Sequence, residues 1–212
     1  MNGRILVLLG MCAMFGMGVR AQEVPKVEVF GGYSYGNFGG AAFGGSRTNS
    51  NGWNASVAVN ANRWVGLVTD FAGHYEDFHS SVPLQPLPCI PPACSIETRG
   101  TNKYHNILFG PQFTLRREKI SPFAHFLFGV VHVNQSGTTT IPFPPPLPPQ
   151  PIPLTFHFSE STNNLAVAAG GGADFRLSER IAWRVQADYL VTQISSRTQN
   201  DLRLSTGLVF RF

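Results

Sequence analysis

Polar and apolar residues alternate along most of this chain with a period of two, the mark of strands whose two faces meet different surroundings. From Lys26 to Tyr35, Val27, Val29, Gly31, Tyr33 and Tyr35 share one face; Glu28, Phe30, Gly32 and Ser34 share the other. The pattern is cleaner from Trp53 to Asn62, where Trp53, Ala55, Val57, Val59 and Ala61 oppose Asn54, Ser56, Ala58, Asn60 and Asn62. Similar stretches follow at 65–75, 103–115, 163–175, 181–189 and 201–212. A further one, 122–133, is apolar on both faces, so its register stays open. The alternation therefore predicts eight strands of about ten residues, the length that crosses a bilayer when tilted.

The connections alternate too. Asn62–Trp64, Arg116–Ser121 and Arg176–Arg180 are short turns, whereas 36–52, 76–102, 134–162 and 192–200 are long. Short turns at one end and long loops at the other predict an all-β fold, an eight-stranded antiparallel up-and-down transmembrane β-barrel. Of 16 prolines, five fall in 83–92 and eight in 142–153, so these segments are predicted as loops rather than wall. The second run favours extended polyproline geometry. Pro111 falls inside the fourth strand, which predicts a bulge or an early strand end there.

Composition supports a chain with one face toward lipid. Only 13% of residues are charged, while Gly numbers 22 and Phe 17. Mean hydropathy is −0.01, too low for a helical membrane protein. Residues 1–21 read as a secretory signal, with Arg4 before the apolar run Ile5–Val19 and Gln22 as the expected mature N-terminus. Met11 before Cys12 is not the small residue that lipidation requires. Loss of Arg4 and Arg20 takes the formal charge from +4 to +2, too little and too scattered to argue for nucleic acid.

Lipid demands that a spanning backbone satisfy itself, so the apolar face must point outward. That places Glu28, Asp70, Asp174, Arg184, Asp188, Arg203 and Arg211 in the lumen, with both signs on one face. An ion-pair network is expected there, with Asp174 opposite Arg184 across the 176–180 turn. Glu28 and Arg211 lie near the same end of the two strands that must pair to close the ring. Outward aromatics form two girdles, Tyr35, Trp53, Tyr75 and Tyr189 near the loops and Phe175, Trp183, Phe210 and Phe212 near the turns.

The last eight residues, Ser205-Thr206-Gly207-Leu208-Val209-Phe210-Arg211-Phe212, resemble the C-terminal recognition signal of outer-membrane proteins. Ser205, Gly207, Phe210 and Phe212 occupy its polar, glycine, apolar and terminal aromatic positions. Residues 22–212 resemble the small bacterial outer-membrane barrels of the OmpA/OmpX kind, and Leu108-Phe109-Gly110-Pro111-Gln112-Phe113 is similar to members of that family. The resemblance implies export to the Gram-negative outer membrane and reading of the last strand by the barrel assembly machinery. It also implies contact with outer-membrane lipid and lipopolysaccharide. The proline-rich loops depart from the family and point to no particular extracellular ligand.

Candidate chemistry is sparse. Cys89 and Cys94, in an exported proline-rich loop, read as a disulfide; two free thiols are the alternative, and a metal site would need further ligands. None of the six histidines shows metal-ligand spacing. His157-Phe158-Ser159-Glu160 is similar to the His-x-Ser arrangement of outer-membrane lipid A deacylases, but it lies at a loop-to-strand boundary with its carboxylate too close in sequence. No catalytic residue, cofactor or metal is expected. The expected role is structural, or surface interaction through the long loops. The alternative is a small-solute channel or transport-associated barrel, although a ring of eight strands is only wide enough for its own side chains.

Overall fold

The computed structural model describes residues 24–39, 47–83, 95–141, 153–194 and 197–212. The expected leader 1–21, Cys89, Cys94 and residues 142–152 of the proline run lie outside the described residues. Eight strands follow in order: β1 (Val27–Phe38), β2 (Thr48–Asn60), β3 (Val65–Pro83), β4 (Ser95–Thr114), β5 (Ile120–Ile141), β6 (Leu154–Arg176), β7 (Ile181–Ile194) and β8 (Arg197–Arg211). Each pairs antiparallel with its sequence neighbours, and β1 pairs with β8 to close the ring. The expected barrel is therefore the observed one.

Closure depends on a close approach. Gly32 and Gly207 face each other across the β1–β8 seam. A Cβ on Gly207 would stand 2.2 Å from the Gly31 carbonyl oxygen, and one on Gly32 would stand 2.1 Å from that of Thr206. No side chain fits at either position unless the seam opens.

Two expectations need correction. Pro111 makes neither a bulge nor a strand end. It pairs with Leu67 in an unbroken β3–β4 register, and the β4–β5 register is the same on both sides of it, Phe109 opposite Phe128 and Gln112 opposite His125. The β4–β5 ladder lapses only at residues 110 and 111, enough to absorb one missing N–H.

The second correction concerns length. Much of the expected loops 76–102 and 134–162 is strand. β3 and β4 stay paired up to Pro83 opposite Ser95, and β5 and β6 up to Ile141 opposite Leu154. By contrast β2–β3 pairing stops at Asn51 opposite Tyr75, and β6–β7 pairing at Leu165 opposite Gln193. Four central strands thus rise above the rest of the ring as an open sheet. At about 3.3 Å per residue, the β3 extension measures on the order of 25 Å along the strand.

The β5 register, open in the sequence, is also set. Phe123, His125, Leu127, Val131 and Val133 face the lumen, while Phe126, Phe128 and Val130 are exposed on the outer wall. Leu108, Leu127, Val68, Ala166, Ala168 and Leu190 form an apolar cluster within the lumen.

Candidate functional site

The lumen is bound together from its short-turn end upward. Glu28 accepts from Arg116 at 2.9 Å and lies 3.2 Å from Arg211. Arg211 also reaches Asp174 at 3.1 Å, and Asp174 receives Arg184 through two bonds of 2.7 and 3.0 Å. This fork geometry fits a planar guanidinium to a carboxylate. The Arg184 guanidinium also covers the Phe123 ring, 4.4 Å from its centroid.

At mid-height Arg203 is the hub. Fully buried, it donates to Asp70 at 2.6 Å and to Asp188 at 2.7 and 2.9 Å. Asp188 also meets His125 Nε2 at 2.7 Å. Asn54 bonds Asp70, and Gln186 bonds both Asn54 and Asp188, so the cluster spans the lumen from β2 to β7. Above it His74 Nε2 meets Ser34 Oγ at 3.0 Å, and Ser34 meets Ser205 at 2.9 Å. The Phe38 ring then closes the column, edge-on to His74 and stacked on Tyr104 at 4.9 Å. A cavity of about 10 Å³ beside Phe38 and Tyr104 has room for about one water.

Each lumen residue named from the sequence sits in this column, and its ion pairs hold two further members that the sequence pattern does not reveal, His125 and Arg116. His125 could not be placed while the β5 register was open. Arg116 falls in an expected turn, yet its guanidinium turns inward onto Glu28. A cation next to a turn, one step from a row of lumen carboxylates, was the available signal. The histidine–serine contact is closed off from solvent, Ser34 and His74 being 0% and 1% exposed. Among the described residues no group of three or more His, Cys, Asp or Glu could hold a metal ion. His157 and Ser159 fall on the outer face of the β6 extension, opposite Thr138 and Ser136.

Of the four residues that match the C-terminal pattern, Ser205 faces the lumen and Gly207 lies on the closing seam. Phe210 and Phe212 are exposed outside, 43% and 73%. Around the other rim Trp53 donates to the Tyr75 hydroxyl at 3.4 Å.

The open sheet of β3–β6 carries the opposite polarity. Its outer face, continuous with the lipid wall, bears Asp77, His79, Arg99, Thr101, Thr138 and Ser159. Its inner face bears Phe78, Val82, Ile96, Ile141, Phe156 and Phe158. Phe78 and Phe158 flank two glycines, Gly100 and Gly137, in one cross-strand row. A Cβ on those glycines would stand 2.6 Å from the Phe78 ring and 2.8 Å from the Phe158 ring, so the rings lie across them. Val82, Leu154 and Phe156 remain 44–55% exposed. Beyond Tyr75 on β3 and before Leu165 on β6, neither strand has a ladder partner on its free side among the described residues.

A family model described as "Outer membrane protein beta-barrel domain" matches residues 5–212. No curated protein sequence matches the chain. Among solved structures, the attachment invasion locus protein Ail of Yersinia pestis is similar at TM-score 0.53 and 20% identity, covering 88% of this chain and 99% of Ail. Ail in complex with the heparin analogue sucrose octasulfate matches at TM-score 0.53 and 20% identity, covering 87% of this chain and 97% of that one. Neisserial surface protein A matches at TM-score 0.48 and 6% identity, covering 88% and 97%. At these identities the likeness is one of fold.

Proposed function

Because the chain belongs to the outer-membrane protein β-barrel family and sits in the Gram-negative outer membrane, we propose that it is a non-catalytic surface-interaction protein: a sealed barrel that holds a sheet outside the cell. The observation that carries this reading is the rise of β3–β6 beyond their neighbours, with apolar side chains on one face and, among the described residues, no ladder partner along either edge. Unpaired edges accept extended segments of other chains, and exposed apolar patches mark contact surfaces. Natural proteins protect such edges with prolines, charges or covers. The β3 edge ends in Pro83 and carries Glu76 and Asp77, whereas 154–164 on β6 holds a single carboxylate, Glu160.

The channel alternative finds less support. An eight-stranded ring is filled by its own side chains, and here buried ion pairs run across the lumen. In the same reading residues 1–21 are the export leader, Cys89 and Cys94 bridge their loop, and the last strand is the part read during assembly.

The test is a variant in which 78–100 and 137–158 are each replaced by a two-residue Asn-Gly turn, which leaves Asp77 opposite Thr101 and Ser136 opposite Ser159 and shortens the four strands to the height of the ring. It should insert and migrate as a heat-modifiable barrel, while cells displaying it lose adhesion to surfaces coated with matrix protein or heparin. Heparin is a reasonable probe because Ail has been crystallised with a heparin analogue. Unchanged adhesion by the shortened barrel on every surface would reject the proposal.

A further inference from the structure

The inner face of the β3–β6 extension is not apolar throughout. Between the lumen and the row of Phe78, Gly100, Gly137 and Phe158 lies one polar row, Glu76, Asn102, Gln135 and Glu160. A carboxylate stands at each end of it and a carboxamide at each middle position. Among the described residues this face of the extension bears no Lys, Arg or His. The opposite face differs, for there Glu97 is paired with Arg99 at 2.9 Å and lies 3.9 Å from His79. Glu76 accepts from a neutral donor, the Thr48 hydroxyl, at 2.8 Å. Arg47, at the head of β2, is bonded to Asn37 and to the Asn200 carbonyl instead. Among the described residues neither Glu76 nor Glu160 has a cation partner.

A second observation points to a ligand that brings hydrogen-bond donors. Asn102, between Glu76 and Gln135 in the row, is 7% exposed, and its side-chain oxygen has no hydrogen-bond partner among the described residues. A buried acceptor without a donor is costly, and an N–H brought to the row relieves that cost. The row is also roofed. Phe78 and Phe158 are half-buried and lie across Gly100 and Gly137, one step of about 6.6 Å above the polar row. Aromatic faces attract cations, and their apolar surface covers methylene groups. From Glu76 to Glu160 is three ladder spacings, about 14 Å along the sheet. A single ammonium group reaches one end of the row, whereas a chain with an ammonium at each end reaches both.

We propose that Glu76, Asn102, Gln135 and Glu160 bind a linear polyamine laid across the four strands. Its terminal ammonium groups meet the two carboxylates, an inner amine donates to Asn102 Oδ1, and its methylenes lie against Phe78 and Phe158. Charge complementarity and the separation of the carboxylates select this occupant. A lysine or arginine side chain would satisfy one end only, and an inorganic cation would make no use of the rings. The site rests on the proposed function only in taking the inner face of the sheet as the contact surface.

The test uses the full chain refolded in micelles of an uncharged detergent and titrated calorimetrically with spermidine and with the shorter diamine putrescine. Spermidine should bind on the order of tenfold tighter than putrescine, the scale of one further hydrogen bond to a charged group. E76Q and E160Q should each weaken spermidine on the order of tenfold and remove its advantage over putrescine. N102D, which sets a third carboxylate under the inner amine, should strengthen spermidine binding. All three variants should keep native heat-modifiable mobility, because the row lies above the ring. No binding by the native protein, equal binding of the two amines, or undiminished spermidine binding by E76Q/E160Q overturns the proposal. Tighter binding of trilysine than of spermidine would assign the row to basic segments of a protein partner, and full displacement by millimolar magnesium would assign it to inorganic cations; either result overturns the proposal. Adhesion is a separate readout. If the shortened barrel loses adhesion while the native protein ignores spermidine, this site falls and the surface-interaction reading stands.

Discussion

The same four strands obey opposite rules below and above the membrane boundary. Within the ring, β6 turns Leu165 and Val167 outward and hides Asn164 and Asp174. A few residues outward, Asn163, Ser161, Ser159 and His157 take the outer face, while Phe158 and Phe156 take the inner one. The pleat is unbroken, and only the solvent has changed. Where lipid lies outside, polar groups go inward and must pair there; where water lies outside, the apolar residues go inward. The lower region is bound by buried ion pairs, and the upper region presents exposed aromatics and edges that have no ladder partner among the described residues. The proposed function rests on this difference, with the ring as rigid scaffold and the sheet as contact surface.

The largest effect is expected at the seam. Gly207→Val would drive a side chain into the Gly31 carbonyl. It should leave no heat-modifiable folded band after refolding in detergent, whereas an added methyl at the outward-facing Gly31, where nothing stands within 4 Å, should fold normally. This contrast separates the structural role of the Gly207 glycine from its place in a recognition signal.

Next comes the hub. Arg203→Ala would leave Asp70 and Asp188 buried without their cation. Breaking such a pair from one side costs about 3–5 kcal/mol, less where water enters the lumen. Urea unfolding in detergent micelles should show the midpoint falling accordingly, and a change below about 1 kcal/mol would mean that the network is incidental.

A smaller, kinetic effect is expected at the chain end. Removing Phe212 should slow insertion in cells and leave periplasmic, protease-sensitive chains, with little change in the unfolding midpoint of barrels that do assemble. Normal insertion kinetics would count against recognition of the terminal strand.

The upper sheet should respond least. Phe158→Ser removes a ring from a half-buried position outside the membrane. It should move the global unfolding midpoint by about 1 kcal/mol or less, while increasing hydrogen exchange at the Gly137 amide. A loss as large as that of Arg203→Ala would erase the division between scaffold and contact sheet.

The polarity reversal also explains what could be read from the sequence. The strands were legible wherever lipid imposed apolar outer residues, and the opposition of Asp174 and Arg184 follows from counting back along a short turn. The upper halves of β3–β6 keep the period of two but invert its phase, so Phe78, Ile96 and Phe156 break the pattern where the strand continues. Their neighbours Ser80, Thr98 and Thr139 are ordinary loop residues as well. β5 was ambiguous for another reason. Its lumen face supplies Phe123, Leu127, Val131 and Val133, so both faces are apolar and His125 had no visible side. Leu108 was hidden in the same way, as an apolar lumen residue between Ile107 and Phe109 on the lipid face. Composition could not show that part of the lumen is an apolar core.

The central claim is that the ring is sealed and only the sheet above it acts. Planar-bilayer recording from purified, refolded protein tests that claim most directly. With Arg203, Asp70, Asp188 and His125 joined across the lumen, the native protein should give no steady conductance at any holding potential, even in concentrated salt. Steady channels of nanosiemens size that persist in the native protein would show an open lumen and contradict the account.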